Sequence, residues 1–229
     1  KQDFKSGSKD SKYVDGCDIF DNNKYMFAST KNIYMKKGKG IYLYDDKGND
    51  YIDCASATFN LSLGYSNERV LSAVRRQLDL LVHVTSNYMT DSVGELVKKL
   101  AEVSPKSLDR IHLKICGGST ANEGAVKMAQ TISGKSDVIS LFRSHVGQTV
   151  YTMGLSGNSF RKSPFHFANM GALLIPAPYC YRCFYNQKPE TCNMLCVERI
   201  HDFIEFGSNG RIAAFIMEPI ICNLGVEIP

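Results

Sequence analysis

The segment best suited to chemistry is a glycine-rich stretch followed by small polar residues, Cys116-Gly-Gly-Ser-Thr-Ala-Asn-Glu-Gly-Ala-Val-Lys-Met-Ala129. The run Ile111 to Cys116 alternates like a β-strand, and an alanine-rich helix is predicted from Thr120 to Ile132. A glycine turn between them leaves the N–H groups of Ser119 and Thr120 unpaired at the helix start, where the helix dipole favours an anion. The spacing therefore predicts a turn suited to a phosphate, although a plain strand-to-helix turn would share it.

The turn differs from two common nucleotide-binding fingerprints. Neither the GxGxxG spacing of dinucleotide-binding turns nor the GxxxxGK[ST] spacing of P-loops occurs around it. Spacing alone indicates a generic anion site and does not choose the ligand.

A second candidate site is a cluster of four cysteines with the spacing Cys180-x2-Cys183-x8-Cys192-x3-Cys196. Short paired spacings are typical of structural zinc sites, in which four thiolates close a tetrahedron. Four buried thiols without a metal would give the same pattern. Both interpretations stay open, and no metal ligand is assigned.

The composition indicates a soluble globular protein. Its 229 residues are 44% hydrophobic, and 27 Lys+Arg against 23 Asp+Glu give a net charge of +4. This length and apolar content allow a buried core. The basic residues form no single block, so neither nucleic acid nor a membrane surface is expected as a partner. The longest apolar runs, such as Ile212 to Met217, are far shorter than a membrane span.

The two ends and the eight cysteines add two expectations. The polar first residues contain no apolar stretch typical of a signal peptide, so we expect a cytoplasmic location with mainly free thiols. The sequence stops soon after a strand-like run, which indicates a fragment of a longer chain.

The elements that must position these residues alternate in type. A β-hairpin is predicted at Ile41–Tyr44 and 51–53, around the turn sequence DDKGND. One helix is predicted from an N-cap at Ser66, and a second is predicted between Asp91 and Pro105. The remaining predicted elements are strands at 138–142, 172–175 and 213–217 and a helix at 193–206. Strands separated by helices predict an α/β fold, with a mostly parallel sheet covered on both faces.

The stretch GGSTANEGAVKMAQ resembles the GSxANExAxKxA segment of class III aminotransferases, which are pyridoxal 5'-phosphate (PLP) enzymes of fold type I. Four other segments resemble the same family in the same order. They are the hairpin at 40–53, the NLSLG run at 60–64, the FRSHVGQT run at 142–149 and the IAAFIMEP run at 212–219. The resemblance extends from about Tyr25 to Pro229 and implies the N-terminal portion of such an enzyme.

The resemblance implies a domain organisation and an activity. Residues 1–24 form a polar N-terminal segment, 25–90 form part of a small domain with a linking helix, and 91–229 form an incomplete PLP-binding large domain. The implied activity moves an amino group between an amine or amino acid and a 2-oxo acid, in a homodimer whose active site lies at the subunit interface. A decarboxylating transaminase, an epimerase or racemase, a mutase and a non-catalytic truncated homologue remain alternatives.

Six residues match the cofactor-binding positions of the family: Gly118, Ser119, Thr120, Asn122, His145 and Glu218. The backbone of the first three matches the phosphate-binding turn. Asn122 matches the family motif at the start of the helix, and we expect it to support the site together with Glu123. His145 falls on the aromatic position that stacks on the pyridine ring, and Glu218 matches a carboxylate beside the cofactor.

Several positions depart from the family pattern. The motif histidine that follows the stacking residue is replaced by Val146, while Gln148 and Asn223 stand where 4-aminobutyrate-type enzymes carry arginine and glutamate. Without that arginine, a bidentate grip on a substrate carboxylate is missing at this position. These changes argue against the standard 4-aminobutyrate and acetylornithine specificities.

No catalytic residue is assigned. The resemblance places the Schiff-base lysine, and the aspartate beneath the pyridine nitrogen, beyond Pro229. Lys127 on the phosphate helix does not match that lysine. We therefore expect the 229-residue chain to be inactive on its own.

Overall fold

The computed structural model describes residues 33–162 and 172–228. The chain forms two compact units that divide between Val103 and Ser104. The predicted segment 1–24 lies outside the described residues, and the predicted boundary between residues 90 and 91 stays a prediction.

The first unit contains a three-stranded antiparallel sheet in the order β1 (Met35–Lys39), β2 (Tyr42–Asp45), β3 (Asp50–Ile52). The predicted hairpin is confirmed as β2 and β3. Its turn is held by Asp45 Oδ1, which accepts the N–H groups of Lys47 at 2.9 Å and Asn49 at 2.8 Å.

Three helices follow in this unit: α1 (Ser56–Phe59), a single turn whose residues have positive φ angles, α2 (Glu68–Leu80) and α3 (Asp91–Val103). The predicted N-cap of α2 was wrong by one residue. Asn67 Oδ1 accepts the N–H of Val70 at 3.3 Å, whereas Ser66 has a φ of 54° and its hydroxyl donates to Gly38 O. An N-cap residue usually has extended backbone angles, which Ser66 lacks.

The second unit contains a parallel three-stranded sheet with the spatial order β5-β4-β6. Its strands are β4 (Asp137–Leu141), β5 (Ala172–Ile175) and β6 (Ile212–Phe215). Its helices are α4 (Gly118–Ser133), α5 (Val150–Leu155), α6 (Ser159–Lys162), α7 (Leu195–Glu198) and α8 (Ile200–Gly207). Single 3-10 turns lie at Cys180–Arg182 and Cys222–Leu224.

Both faces of this sheet are covered, as the alternation of strands and helices predicts. Ile139 and Leu141 lie in a core on one face, which includes Phe203 of α8. Val138 points to the other face and lies in a core with Val126 of α4. Adjacent strand residues point to opposite faces, so β4 is buried on both sides.

Two predicted elements differ from the structure. Residues 111–116 form no strand, because no other described strand pairs with them to complete their backbone hydrogen bonds. The predicted helix 193–206 is two helices, α7 and α8, which meet at Arg199. Within residues 33–162 and 172–228, no helix is long and apolar enough to cross a membrane.

Candidate functional site

The N-terminus of α4 carries the turn that the sequence singled out. The first hydrogen bond within the helix runs from Ala121 N to Gly117 O at 3.1 Å. The N–H groups of residues 118–120 therefore have no acceptor within the helix. Thr120 Oγ1 donates to Gly117 O and accepts the N–H of Cys116, both at 2.9 Å, which fixes the turn. With its 16 residues, α4 presents a positive dipole end here, as anion binding requires.

Two hydrogen bonds hold the loop of residues 145–149 against this helix end. Asn122 Nδ2 donates to Val146 O at 2.6 Å. Gln148 N donates to Ser119 Oγ at 2.9 Å. The loop and the helix N-terminus thus form one surface, and Asn122 contributes to it as a support between backbone segments.

Thr149, the last residue of the loop, is hydrogen-bonded to α4 and is also the N-cap of α5. Thr149 Oγ1 donates to Glu123 Oε1, so Glu123 also supports the loop. Thr149 is the N-cap of α5 and forms a reciprocal capping pair with Thr152. These contacts fix where α5 begins relative to α4.

Ser156 is a supporting residue that the sequence analysis missed. Its side chain is fully buried, and its hydroxyl accepts the N–H of Val146 at 2.9 Å and donates to Thr152 O at 2.9 Å. Val146 is itself only 5% exposed, so its N–H has no access to bulk water. No local sequence pattern predicts this contact, because Ser156 lies ten positions after Val146 and meets it only once α5 has formed between them.

Glu218 and His145 are 73 positions apart in sequence and meet at the sheet edge. β4 and β6 are parallel, so the segments that follow them leave from the same edge, where ligands bind in open α/β sheets. His145 N donates to Glu218 Oε1 at 2.7 Å, and Cys222 N donates to Oε2 at 3.4 Å. The carboxylate therefore positions the backbone of His145.

The imidazole of His145 is half-buried, and its Nδ1 is buried without a hydrogen-bond partner among the described residues. Burial lowers the pKa of His145, the nearby Arg161 cation lowers it further, and the Glu218 carboxylate opposes both. The surface thus combines an unpartnered ring nitrogen with the N-terminus of α4.

The lowered pKa of His145 predicts how stability changes with pH. The folded protein takes up this proton at a lower pH than the unfolded chain, so below the ordinary histidine pKa of 6.5 the unfolded chain binds more protons. We expect the contribution of His145 to the free energy of unfolding to be fully present above pH 6.5 and to decrease as the pH falls below that value. His145→Gln is expected to flatten this dependence in urea titrations at several pH values. The exposed His201, changed to Gln, is the matched control, and an unchanged slope in His145→Gln would contradict the assignment.

The four clustered cysteines line one small cavity of about 30 Å³ with Tyr185. Burial raises the pKa of the Cys196 thiol, and the neighbouring Cys192 raises it further. Among the described residues, no group of three or more His, Cys, Asp or Glu side chains is placed to hold a metal ion. The zinc and free-thiol interpretations both stay predictions.

Comparison with known proteins identifies the family. The model of the family described as aminotransferase class-III matches residues 25–229. The chain belongs to this family. A leucine/methionine racemase of Thermococcus litoralis is 32% identical over 200 residues, which cover 86% of this chain and 45% of that protein. A probable 4-aminobutyrate aminotransferase of Bacillus subtilis is also 32% identical over 200 residues, covering 84% of this chain and 45% of the relative.

Solved structures agree with the family assignment. An amine transaminase from an uncultivated Pseudomonas species, solved in its PLP-bound form, is 25% identical and superposes with a TM-score of 0.76. The match covers 87% of this chain and 47% of that one. The fold is therefore the fold type I α/β architecture expected from the sequence, and PLP is the cofactor of the family. The chain spans about half the length of the curated relatives it matches.

Proposed function

We propose that the natural protein carrying this sequence is a PLP-dependent aminotransferase that moves an amino group between an amine or amino acid and a 2-oxo acid. The observation that carries the proposal is the N-terminus of α4, where the N–H groups of residues 118–120 have no partner within the helix and the 145–149 loop is held against it. Relatives named as a 4-aminobutyrate aminotransferase and an amine transaminase support the reaction class.

Each of the six matched residues has a role in this proposal. The backbone of Gly118, Ser119 and Thr120 binds the cofactor phosphate through N–H groups and the helix dipole. Asn122 holds the loop through Val146 O and so shapes the wall of the site without touching the reacting atoms.

His145 and Glu218 are the other two matched residues of the proposed site. The imidazole of His145 would lie against the pyridine ring, and burial lowers its pKa below the ordinary value, which favours the neutral form of the ring. Glu218 fixes the backbone of His145 through the 2.7 Å hydrogen bond. PLP, when bound, acts as the electron sink for bond cleavage at the substrate carbon that bears nitrogen.

We also propose a cytoplasmic homodimer. The seven described cysteines are all free thiols, which favours a reducing compartment. The homodimer is inferred from the family resemblance. Because no lysine of this sequence matches the Schiff-base position, the 229-residue chain alone is expected to bind the cofactor at most weakly and to complete no catalytic cycle.

The test is a transamination assay on the full-length natural gene product, loaded with PLP. We expect a yellow protein that converts 1-phenylethylamine only when pyruvate is present as the acceptor, and alanine only when 2-oxoglutarate is present. A protein that takes up no cofactor would overturn the proposal. Conversion of a single amino acid without any acceptor would also overturn it and would assign a racemase.

The racemase is the second candidate because a relative 32% identical to this chain is named as a leucine/methionine racemase. Both reactions use the same cofactor surface, so the residues described above do not separate them. Incubating L-leucine with the loaded protein and no acceptor, and then measuring optical rotation, distinguishes them directly. Loss of rotation without any 2-oxo acid product indicates the racemase.

A further inference from the structure

A second cavity lies at the carboxyl edge of the sheet in the second unit. Its volume is about 120 Å³. Residues directly after β4, including Phe142 and Arg143, line one side, and residues after β5, including Pro176 and Ala177, line another. This is the edge at which open α/β sheets bind their ligands. The cavity is smaller than a typical drug-sized pocket, so it suits one end of a small molecule.

The charge of the lining has one sign. Arg143 and Arg182 both line the cavity, and no aspartate or glutamate is among the described lining residues. Within the described chain, neither guanidinium forms an ion pair or a side-chain hydrogen bond. Both arginines are exposed, so an anion bound at this cavity would meet two cationic residues and no competing carboxylate in the lining.

The backbone at Arg143 is held in an unusual conformation. Its φ angle is 62°, in the left-handed region that few residues other than glycine adopt, and its N–H donates to Gly157 O at 2.9 Å. A Cβ on Gly157 would lie 2.6 Å from Phe142 Cα, so only glycine permits this close approach. Such conformations are costly and concentrate at functional sites.

The remaining walls are apolar and aromatic. Phe142 and Phe184 have ring centroids 6.0 Å apart, and Tyr179 and the buried Leu224 complete the lining. Arg182 lies over the ring of Tyr181 at 5.7 Å, which restricts its side chain. The cavity therefore combines an apolar surface with two cations at its margin.

We propose that this cavity is a carboxylate subsite, in which Arg143 and Arg182 bind the carboxylate of a small apolar or aromatic acid. Guanidinium groups match carboxylates with paired hydrogen bonds. Arg143 follows β4 and Arg182 follows β5, so both arginines come from segments that leave the carboxyl edge of the sheet. That the bound acid is a substrate rests on the proposed aminotransferase function.

The first test measures binding without turnover. Phenylacetate is titrated calorimetrically into the full-length natural gene product, with neutral phenylacetamide as the matched ligand. We expect phenylacetate to bind at least about tenfold more tightly than the amide, and Arg143→Gln and Arg182→Gln each to weaken phenylacetate binding about tenfold. Arg110→Gln, an exposed arginine remote from the cavity lining, is the control and should leave binding unchanged.

Three outcomes would overturn the subsite. They are no binding of phenylacetate, equal binding of the amide, and full binding by both arginine variants. Inorganic phosphate is titrated in parallel, and equal affinity with the same dependence on both arginines would make this a general anion site instead. Arg143→Lys keeps the charge and is expected to retain part of the affinity, which separates loss of charge from misfolding.

The second test separates the subsite from the catalytic proposal. In the PLP-loaded protein, Arg182→Gln should raise the KM for phenylpyruvate about tenfold and leave the KM for 1-phenylethylamine, which has no carboxylate, unchanged. Equal changes in both KM values would overturn the subsite. A protein that binds phenylacetate through the arginines but transfers no amino group would retain the subsite and overturn only the aminotransferase.

Discussion

Replacing Gly147 with alanine is expected to lower the free energy of unfolding by about 3 kcal/mol, because both overpacking and backbone strain arise at this site. Gly147 is buried with a φ of 157°. An added Cβ would lie 2.7 Å from Ser119 Oγ and would also meet the side chain of Thr152. Either the loop moves away from α4 or Ser119 loses its hydrogen bond from Gln148, so PLP affinity should fall as well.

The matched control for this change is Gly118→Ala at the first residue of α4. A Cβ on Gly118 meets no atom within 4 Å, and alanine is the better helix residue, so stability should be unchanged or slightly raised. Urea unfolding of both variants measures the difference. Equal stability of the two variants would show that the 145–149 loop does not contact α4 as described.

Replacing Ser156 with alanine is expected to lower the free energy of unfolding by about 2 kcal/mol, the cost of leaving one buried N–H without a partner. The group that loses its acceptor is the N–H of Val146, whose partner among the described residues is the Ser156 hydroxyl. Thr152 O keeps a second partner, the N–H of Ser156 itself, so it adds little to the loss.

Ser133→Ala provides the control for the loss of Ser156. Both hydroxyls donate to the carbonyl four residues earlier and accept one backbone N–H, but Ser133 is exposed and its N–H donor, Lys135 at 3.2 Å, is exposed as well. We expect the Ser133 variant to change stability by less than about 0.5 kcal/mol. Amide hydrogen exchange of Val146 gives a local readout, since it should accelerate in Ser156→Ala alone. Similar losses in both variants would contradict a supporting role for Ser156.

Much of the second unit follows from periodicity. The apolar runs at β4, β5 and β6 are short and bounded by helices, and the structure pairs all three in parallel. The helix after the glycine turn also follows from its composition, with its start at Gly118 in place of Thr120. These elements depend on local sequence and on burial of both sheet faces.

Residues 111–116 show why a correct pattern can still give a wrong element. Ile111 and Leu113 are more buried than His112 and Lys114, so the alternation holds for four residues and stops at the exposed Ile115. A strand also requires a neighbouring strand to complete its hydrogen bonds, and the sequence of one segment contains no information about that neighbour. The helix pair α7 and α8 was mistaken for one helix because the break at Arg199 has nearly helical angles.

The candidate site, too, is predictable from the sequence only in part. The residues of the turn could be located from glycines and small polar side chains in order. The bonds from Asn122 to Val146 O, from Gln148 N to Ser119 and from His145 N to Glu218 join positions 24, 29 and 73 apart. Such contacts depend on the assembled fold, and only the family resemblance predicts a place beside the cofactor for Asn122 and Glu218. No sequence pattern predicts the cavity lined by Arg143 and Arg182.

The most direct test of the account is the position of the phosphate in a crystal of the full-length natural protein grown with PLP. We expect phosphate oxygens about 3 Å from the N–H groups of residues 118–120. We also expect the pyridine ring against the imidazole of His145. Phosphate density away from the N-terminus of α4, with those N–H groups bonded only to water, would contradict the account.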